Sequence, residues 1–186
     1  MIDPASSQDG RNCESAIVTV AGEHKTKRSE IYVLDARCGH WKDTEVLNQM
    51  YMLHELYEPD HIGIESVAFQ QTFVTLTEMS TDRPAGFSLT PHSSMVHGRK
   101  KRHRLVKAAN YIHLVRFLRG DEVQNRLIDQ LVTFQGKSSD RFDLGDAFCM
   151  AINEYMRLYP PGYESKSVKK FDYIYRHGQI IGHRPI

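Results

Sequence analysis

A mixed-sheet α/β fold is the class this chain predicts, and three features carry the prediction. β-branched runs separated by polar turns open the sequence, the mark of an antiparallel meander. Amphipathic helical stretches then alternate with short apolar runs, which describes parallel strands with helices on both faces of the sheet. A strongly apolar helical stretch, Asp143 to Leu158, comes last and is stopped by Pro160-Pro161-Gly162.

The first strand is short. Met1-Ile2-Asp3 reads as the end of a strand whose beginning is missing, which suggests a piece of a longer protein with Met1 an added start residue. Ser15 to Ala21 and Glu30 to Ala36 are the next two strands, joined by the polar stretch Gly22 to Ser29. Asp43 or Thr44 caps a helix in which Val46, Leu47, Met50, Leu53, Leu56 and Tyr57 recur at steps of three and four, one apolar face. Glu58-Pro59-Asp60 ends it. A strand over His61 to Glu65 follows, then a helix over Ala68 to Met79 with Phe69, Phe73 and Leu76 on one side, then a short strand over Phe87 to Thr90.

Leu105, Ala108, Ala109, Ile112 and Val115 supply the apolar stripe of a long helix from Lys100 to Leu118, with Gly120 as its stop. Val123 to Phe134 is helical, and Gly136 to Ser139 is a loop. The crossover from the meander through the Thr44–Tyr57 helix to the His61 strand is expected to be right-handed. Residues 1–158 form one domain, and 159–186 are a tail. In that tail, Phe171 to Tyr175 and Gln179 to Ile181 flank Arg176-His177-Gly178 and form either a hairpin or a mobile appendage.

Composition narrows the function classes. The 186 residues suit one domain of roughly 100–200 residues. Formal net charge is +1, so any attraction to nucleic acid must come from local patches. Cys13, Cys38 and Cys149 are odd in number and lack CxxC spacing, which argues against a disulfide framework and a zinc site and for a reducing compartment. No apolar run approaches the roughly 20 residues of a membrane span, and no secretory signal opens the chain. A GxxxxGK[ST] loop is missing too, which excludes a P-loop motor.

Four carboxylates stand where they can converge. Asp3 ends the opening apolar stub, Glu65 ends the run His61-Ile62-Gly63-Ile64, and Asp143 and Asp146 lie at i and i+3 on one face of the last helix. In an open α/β sheet, ligands bind beyond the carboxyl ends of strands, and Glu65 holds such a position. Phosphodiester hydrolysis needs an activated water and a stabilised leaving oxygen, and two divalent ions about 3.5–4 Å apart supply both. Mg²⁺ and Mn²⁺ prefer oxygen ligands, so carboxylates are the right residue type. The plainer reading is that acids at a helix start are caps favoured by the helix dipole, and that Asp3 is a turn residue before Pro4.

The segments Ile2-Asp3-Pro4-Ala5, Gly63-Ile64-Glu65-Ser66 and Asp143-Leu144-Gly145-Asp146-Ala147 resemble, in this order, the nuclease domain of tailed-phage terminase large subunits. That family has an RNase H-like fold related to RuvC-type resolvases. Its pattern is an Asp-Pro-Ala opening, an acid after the fourth strand and an Asp-x-x-Asp-Ala run in the last core helix, and the match spans most of residues 1–158. The resemblance implies two divalent cations, Mg²⁺ or Mn²⁺, held by Asp3, Glu65 and Asp143, with Asp3 bridging them and Asp146 a fourth catalytic acid. Many members place paired acids just before this helix. Here Phe142 precedes Asp143, which leaves open whether Asp143 or Asp146 makes the closer metal contact. As partners the resemblance implies concatemeric double-stranded DNA, a packaging ATPase domain missing from this chain, the portal protein and the small terminase subunit. It implies no membrane, and the cytoplasm of an infected bacterial host as the location.

Arg99-Lys100-Lys101-Arg102-His103-Arg104, with Lys107 and Arg116 beyond, is the densest positive run. Arg99, Lys100, Lys101, Arg102, Arg104 and Lys107 are the expected DNA-binding residues, because cations must offset the repulsion between an acidic site and DNA. Similar terminase domains also carry Lys and Arg at the start of this helix. Such contacts go to the phosphate backbone, with weak sequence preference and steep salt dependence. The plainer reading is a solvated helix face. His92 and His97 flank a Ser-rich loop and read as loop residues, with proton transfer as the alternative. Trp41, Tyr51 and Phe148 are expected in the core, with Cys149 on the buried side of its helix. Asp35 ends its own strand and could point inward, but the resemblance gives it no role, and Asp9 sits in an Asp-Gly turn.

The expected function is therefore a metal-dependent DNA endonuclease. Two other readings stand beside it. One keeps the fold and cuts four-way junctions as a RuvC-like resolvase. The other is a non-catalytic DNA- or portal-contacting module, with Lys166, Lys169 and Lys170 of the tail meeting a partner.

Overall fold

The computed structural model describes residues 1–4, 14–23, 30–65, 70–92, 101–137, 140–160, 171–176 and 179–185. The elements are β1 (Ile2–Asp3), β2 (Ser15–Glu23), β3 (Glu30–Gly39), α1 (Asp43–Tyr57), β4 (Gly63–Glu65), α2 (Gln70–Met79) and β5 (Thr90–His92). They continue with α3 (Lys101–Ala109), β6 (Val115–Arg116), α4 (Glu122–Thr133), α5 (Asp143–Leu158), β7 (Phe171–Arg176) and β8 (Gln179–Pro185).

A six-stranded sheet runs β5-β4-β1-β2-β3-β6. β1, β2 and β3 pair antiparallel, while β4 lies parallel to β1 and β5 parallel to β4. β6 joins the far edge parallel to β3. This is the α/β arrangement the sequence predicts, an RNase H-like mixed sheet with helices on both faces. The tail contains the hairpin β7–β8, paired antiparallel.

Strand periodicity decides which side chains meet. Side chains alternate between faces, and Ile2 is paired with Ile17 and with Ile64. These three isoleucines are buried with Val46, Leu47, Met50, Leu53, Phe73 and Phe87, so α1 and α2 cover their face. The opposite face carries Ala16, Val18, Ile31 and Val33 against Leu144, Ala147, Phe148, Ala151 and Ile152 of α5. Asp3 and Glu65 each follow one of the isoleucines by one residue and so turn to the α5 face.

α5 is the centre of the molecule. Every residue from Asp143 to Met156 is buried, because the sheet covers one side and α3 and α4 contribute Ala108 and Leu127 on the other. Burying a side chain such as Phe148 or Ile152 contributes about 1.5–3 kcal/mol, so this helix is held by packing rather than propensity. Gly145 is required there. A Cβ at this position would lie 2.2 Å from Cε2 of Phe142, whose ring stacks on Phe134 with centroids 4.0 Å apart.

Several elements differ from the sequence expectation. The long helix over Lys100 to Leu118 ends at Ala109. The chain then makes a single 3-10 turn, Ile112–Leu114, and enters β6. Val115 fits the helical stripe equally well, but as a strand residue it pairs with Ile31 and is buried. Long-range pairing overrides local periodicity here. Lys42, rather than Asp43 or Thr44, is the N-cap of α1, where its backbone N–H donates to Glu45 at 2.7 Å. The strand expected at Phe87 to Thr90 lies at Thr90–His92, and Phe87 instead packs edge-on against Tyr51 at 4.8 Å between centroids. Tyr51, Phe148 and Cys149 are buried as expected, and Trp41 is partly buried against the α1 side.

Candidate active site

The site lies where the carboxyl ends of β1 and β4 meet the first turn of α5. Ile2 pairs with Ile64, so Asp3 and Glu65 occupy equivalent positions at the ends of adjacent parallel strands. Asp143 and Asp146 face them from α5. Asp3, Asp143 and Asp146 are buried, Asp146 completely. Folding thus gathers all four acids singled out in the sequence.

Two cations from α3 complete the cluster. Arg104 Nη1 donates to Glu65 Oε1 at 2.6 Å, and Arg104 Nη2 donates to Asp146 Oδ2. Lys101 Nζ lies 3.3 Å from Asp143 Oδ1 and 3.7 Å from Asp146 Oδ2. α3 is fixed in this position by α5 itself. Asn153 Nδ2 donates to the Arg104 carbonyl at 3.1 Å, and Arg104 Nη1 lies 3.5 Å from Met150 Sδ. Asp143 is held on its other side, where the Glu14 backbone N–H donates to Oδ2 at 3.2 Å. Arg126 in turn bonds the Glu14 carboxylate and lies 3.0 Å from Cys38 Sγ.

Crowding of like charge shows in the acids. Burial raises the Asp3 carboxyl well above the usual carboxylate range, and so do the Glu65 charge, a side-chain hydrogen bond with Glu65, and Asp146. Burial also pushes Asp146 up to about 6, although Arg104 and Lys101 pull against it. Burial opposes the charges of Lys101 and Arg104, but the surrounding carboxylates outweigh it and both pKa values are raised. The two cations therefore stay charged.

Among the described residues, no three His, Cys, Asp or Glu side chains surround a common cation position as they stand. The positive charge between the acids comes from Lys101 and Arg104. The donor set still suits a hard divalent cation, because every candidate ligand atom is a carboxylate oxygen. Among the described residues, Asp146 Oδ1 is moreover buried without a hydrogen-bond partner, an orphaned acceptor.

The structure divides the basic run. Lys101 and Arg104 turn inward, whereas Arg102 and Lys107 are exposed on the same helix. Arg99, Lys100 and His97 lie outside the described residues, as do Asp9, Cys13, Lys166, Lys169 and Lys170. Beside Asp143 opens a polar cleft of about 580 Å³ lined by Glu14, Arg126, Gln130, Phe134, Asp140 and Arg141 among others.

Sequence reasoning missed a second polar cluster. His92 pairs in register with Glu65 on β5 and is no loop residue. Its Nδ1 lies 3.5 Å from Glu154 of α5, and His61 Nε2 lies 3.3 Å from the same carboxylate. Arg157 donates both Nε and Nη2 to Glu154, and this fork first, then the neighbouring His92, lowers its pKa. Only His61, two residues before β4 and at an even spacing from Glu65, carried a signal of this in the sequence. Asp35 has a structural role, with Arg37 Nε at 3.0 Å. Burial raises the Cys149 thiol, which leaves it an inert apolar group.

No helix among the described residues is long and apolar enough to cross a membrane. Comparison with protein-family models, with curated proteins and with solved structures gave no match for this chain.

Proposed function

We propose that this chain is a divalent-metal-dependent endodeoxyribonuclease, the cutting domain of a viral terminase large subunit acting on concatemeric double-stranded DNA. One observation supports it above the others. Four acids from distant parts of the chain cluster at the carboxyl end of a mixed sheet, three of them buried, with Asp146 fully buried and one of its oxygens without a hydrogen-bond partner among the described residues. Evolutionarily neutral caps and turns have no reason to be buried against one another, because each buried carboxylate costs stability unless it is compensated.

Asp3, Glu65 and Asp143 would hold two cations, Mg²⁺ or Mn²⁺, with Asp146 as the fourth acid. When bound, these ions supply the lowered pKa of an attacking water and the stabilisation of the leaving oxygen. The chain's own residues do the rest. β1 and β4 fix Asp3 and Glu65 on rigid strand ends, while buried α5 fixes Asp143 and Asp146 on one helix face. Exposed Arg102 and Lys107 lie on the helix that borders the acids, where they can meet phosphates without reading bases. A packaging ATPase domain, portal protein and small terminase subunit are the partners of this reading, and the cytoplasm of an infected bacterial host is its setting.

The test is nicking of supercoiled plasmid with Mn²⁺ or Mg²⁺. Wild-type protein is expected to convert it to open-circular and linear forms, and EDTA to stop it. Asp3→Ala or Asp143→Ala protein that still cuts at the wild-type rate would overturn the assignment.

A further inference from the structure

The two cations inside the acid cluster have a use of their own. Arg104 ties Glu65 to Asp146, and Lys101 reaches Asp143 and Asp146. Every acid named as a metal ligand or its neighbour, except Asp3, is thus bonded to a side chain of one helical turn of α3. Both side chains are long, and Lys101 is 41% exposed, so it can swing out to water. A cation that takes Glu65 Oε1, Asp143 Oδ1 or Asp146 Oδ2 must displace these contacts, since one guanidinium and one ammonium already use those oxygens.

We infer that Lys101 and Arg104 form a removable counter-charge, which competes with divalent cations for the same carboxylate oxygens and, once displaced, is released toward DNA phosphates. The inference rests on the metal-dependent reading above. Without ions, four crowded carboxylates would repel one another, and the α3 side chains hold them together. With ions, the same positive charges become surplus in the pocket and are attracted to the polyanion at its mouth. The lysine and guanidinium are suited to this exchange, because both bind carboxylate and phosphate oxygens. The device keeps the site folded while it is empty and links ion loading to substrate binding.

The experiment is Mn²⁺ titration by calorimetry on wild-type, Arg104→Ala, Arg104→Lys and Lys101→Ala proteins, with thermal unfolding in EDTA alongside. If the counter-charge fills the site in roughly 70–90% of metal-free molecules, its removal tightens apparent Mn²⁺ affinity roughly three- to tenfold. Arg104→Ala is expected to show this gain together with a lower unfolding temperature in EDTA, and Arg104→Lys an intermediate gain. Lys101→Ala, at the more exposed position, carries the test if Arg104→Ala does not fold. Equal or weaker Mn²⁺ binding by the folded variants, with saturable binding by wild type, would overturn the counter-charge and leave the nuclease reading intact. Mn²⁺ bound by the variants but not by wild type would support it in its strongest form. No saturable binding by any of the proteins would overturn both.

Discussion

Arg104 on α3 reaches Asp146 on α5 with one guanidinium nitrogen while the other holds Glu65 at 2.6 Å. This single side chain joins a strand end to a helix start across 39 and 42 residues of sequence. It also explains how a buried acid cluster survives in a folded protein, since an uncompensated buried charge costs several kcal/mol. Compensation is incomplete, however. Among the described residues, four carboxylates face two cations, and one oxygen of Asp146 has no hydrogen-bond partner.

Incomplete compensation predicts a conflict between stability and activity at Asp3. Its carboxyl is buried and crowded by Glu65 and Asp146. Asp3→Asn keeps the shape and removes the charge. Metal-free protein should gain on the order of 1 kcal/mol, or roughly 2–4 °C in unfolding temperature. Nicking should fall by more than about 100-fold, because groups behind a metal ligand already cost 10–100-fold. Thermal unfolding in EDTA reads the first effect and the plasmid assay the second. A destabilised Asp3→Asn protein would mean that the acid stabilises the fold and is not a strained ligand.

The raised pKa of Asp146 predicts a pH dependence with a definite sign. Its folded value is about 6 against an ordinary 3.8. Folding therefore favours the protonated acid, and the stability this lends is complete below about pH 4 and is lost as pH rises through about 6. The loss is about 3 kcal/mol at most, from a shift of roughly two units. The signature is the difference between wild-type and Asp146→Asn stability profiles in EDTA, which should decline over that window. Saturating Mg²⁺ should reverse the trend, because the cation binds the ionised form. A difference profile that is flat from pH 4 to 7 would contradict the environment described for this acid.

Much of this arrangement was legible in the chain. The two long meander strands are β-branched runs, and α5 carries its apolar residues so densely that both of its ends match the sequence reading. The acids were legible because Asp3, Glu65 and Asp143 each end or begin an apolar element, Asp146 follows Asp143 at i+3 on α5, and alternation along β1 and β4 gives Asp3 and Glu65 a common face. The inward turn of Arg104 and Lys101 was not legible. Their i, i+3 spacing matches that of Asp143 and Asp146, yet a basic run gives no sign of which members meet acids from another helix. The break of α3 at Ala109 was hidden too, because Ile112 and Val115 suit a helix stripe and an edge strand alike. Only pairing of Val115 with Ile31 decides it.

Gly145 offers a test of how tightly α5 sets the acids. Alanine in a helix interior is favoured over glycine by about 1 kcal/mol. Here the added Cβ would meet the Phe142 ring at 2.2 Å, and overpacking costs about 1–3 kcal/mol. The clash should win, because Phe142 is fully buried and stacked on Phe134. Gly145→Ala is expected to lower the urea midpoint and weaken Mn²⁺ binding, since Asp143 and Asp146 flank the displaced turn. Adding Phe142→Leu should recover part of both. A Gly145→Ala protein more stable than wild type would show that the ring has room to move.

The division of α3 into inward and outward cations makes the last prediction. Arg102 and Lys107 are exposed, whereas Lys101 and Arg104 are engaged with acids. If the outward pair meets phosphates, Arg102→Ala and Lys107→Ala should each weaken binding of any duplex by a similar factor. Each should also lower the slope of log affinity against log salt by about one. Binding is measured with Ca²⁺, an oxygen-seeking ion that supports association when cleavage is to be avoided, over a series of salt concentrations. Mn²⁺ affinity should stay unchanged in these variants, because neither side chain touches the carboxylates. This pattern separates phosphate contacts from the counter-charge, whose removal alters ion affinity first. Salt slopes identical to wild type in both variants would move the DNA path away from the exposed face of α3.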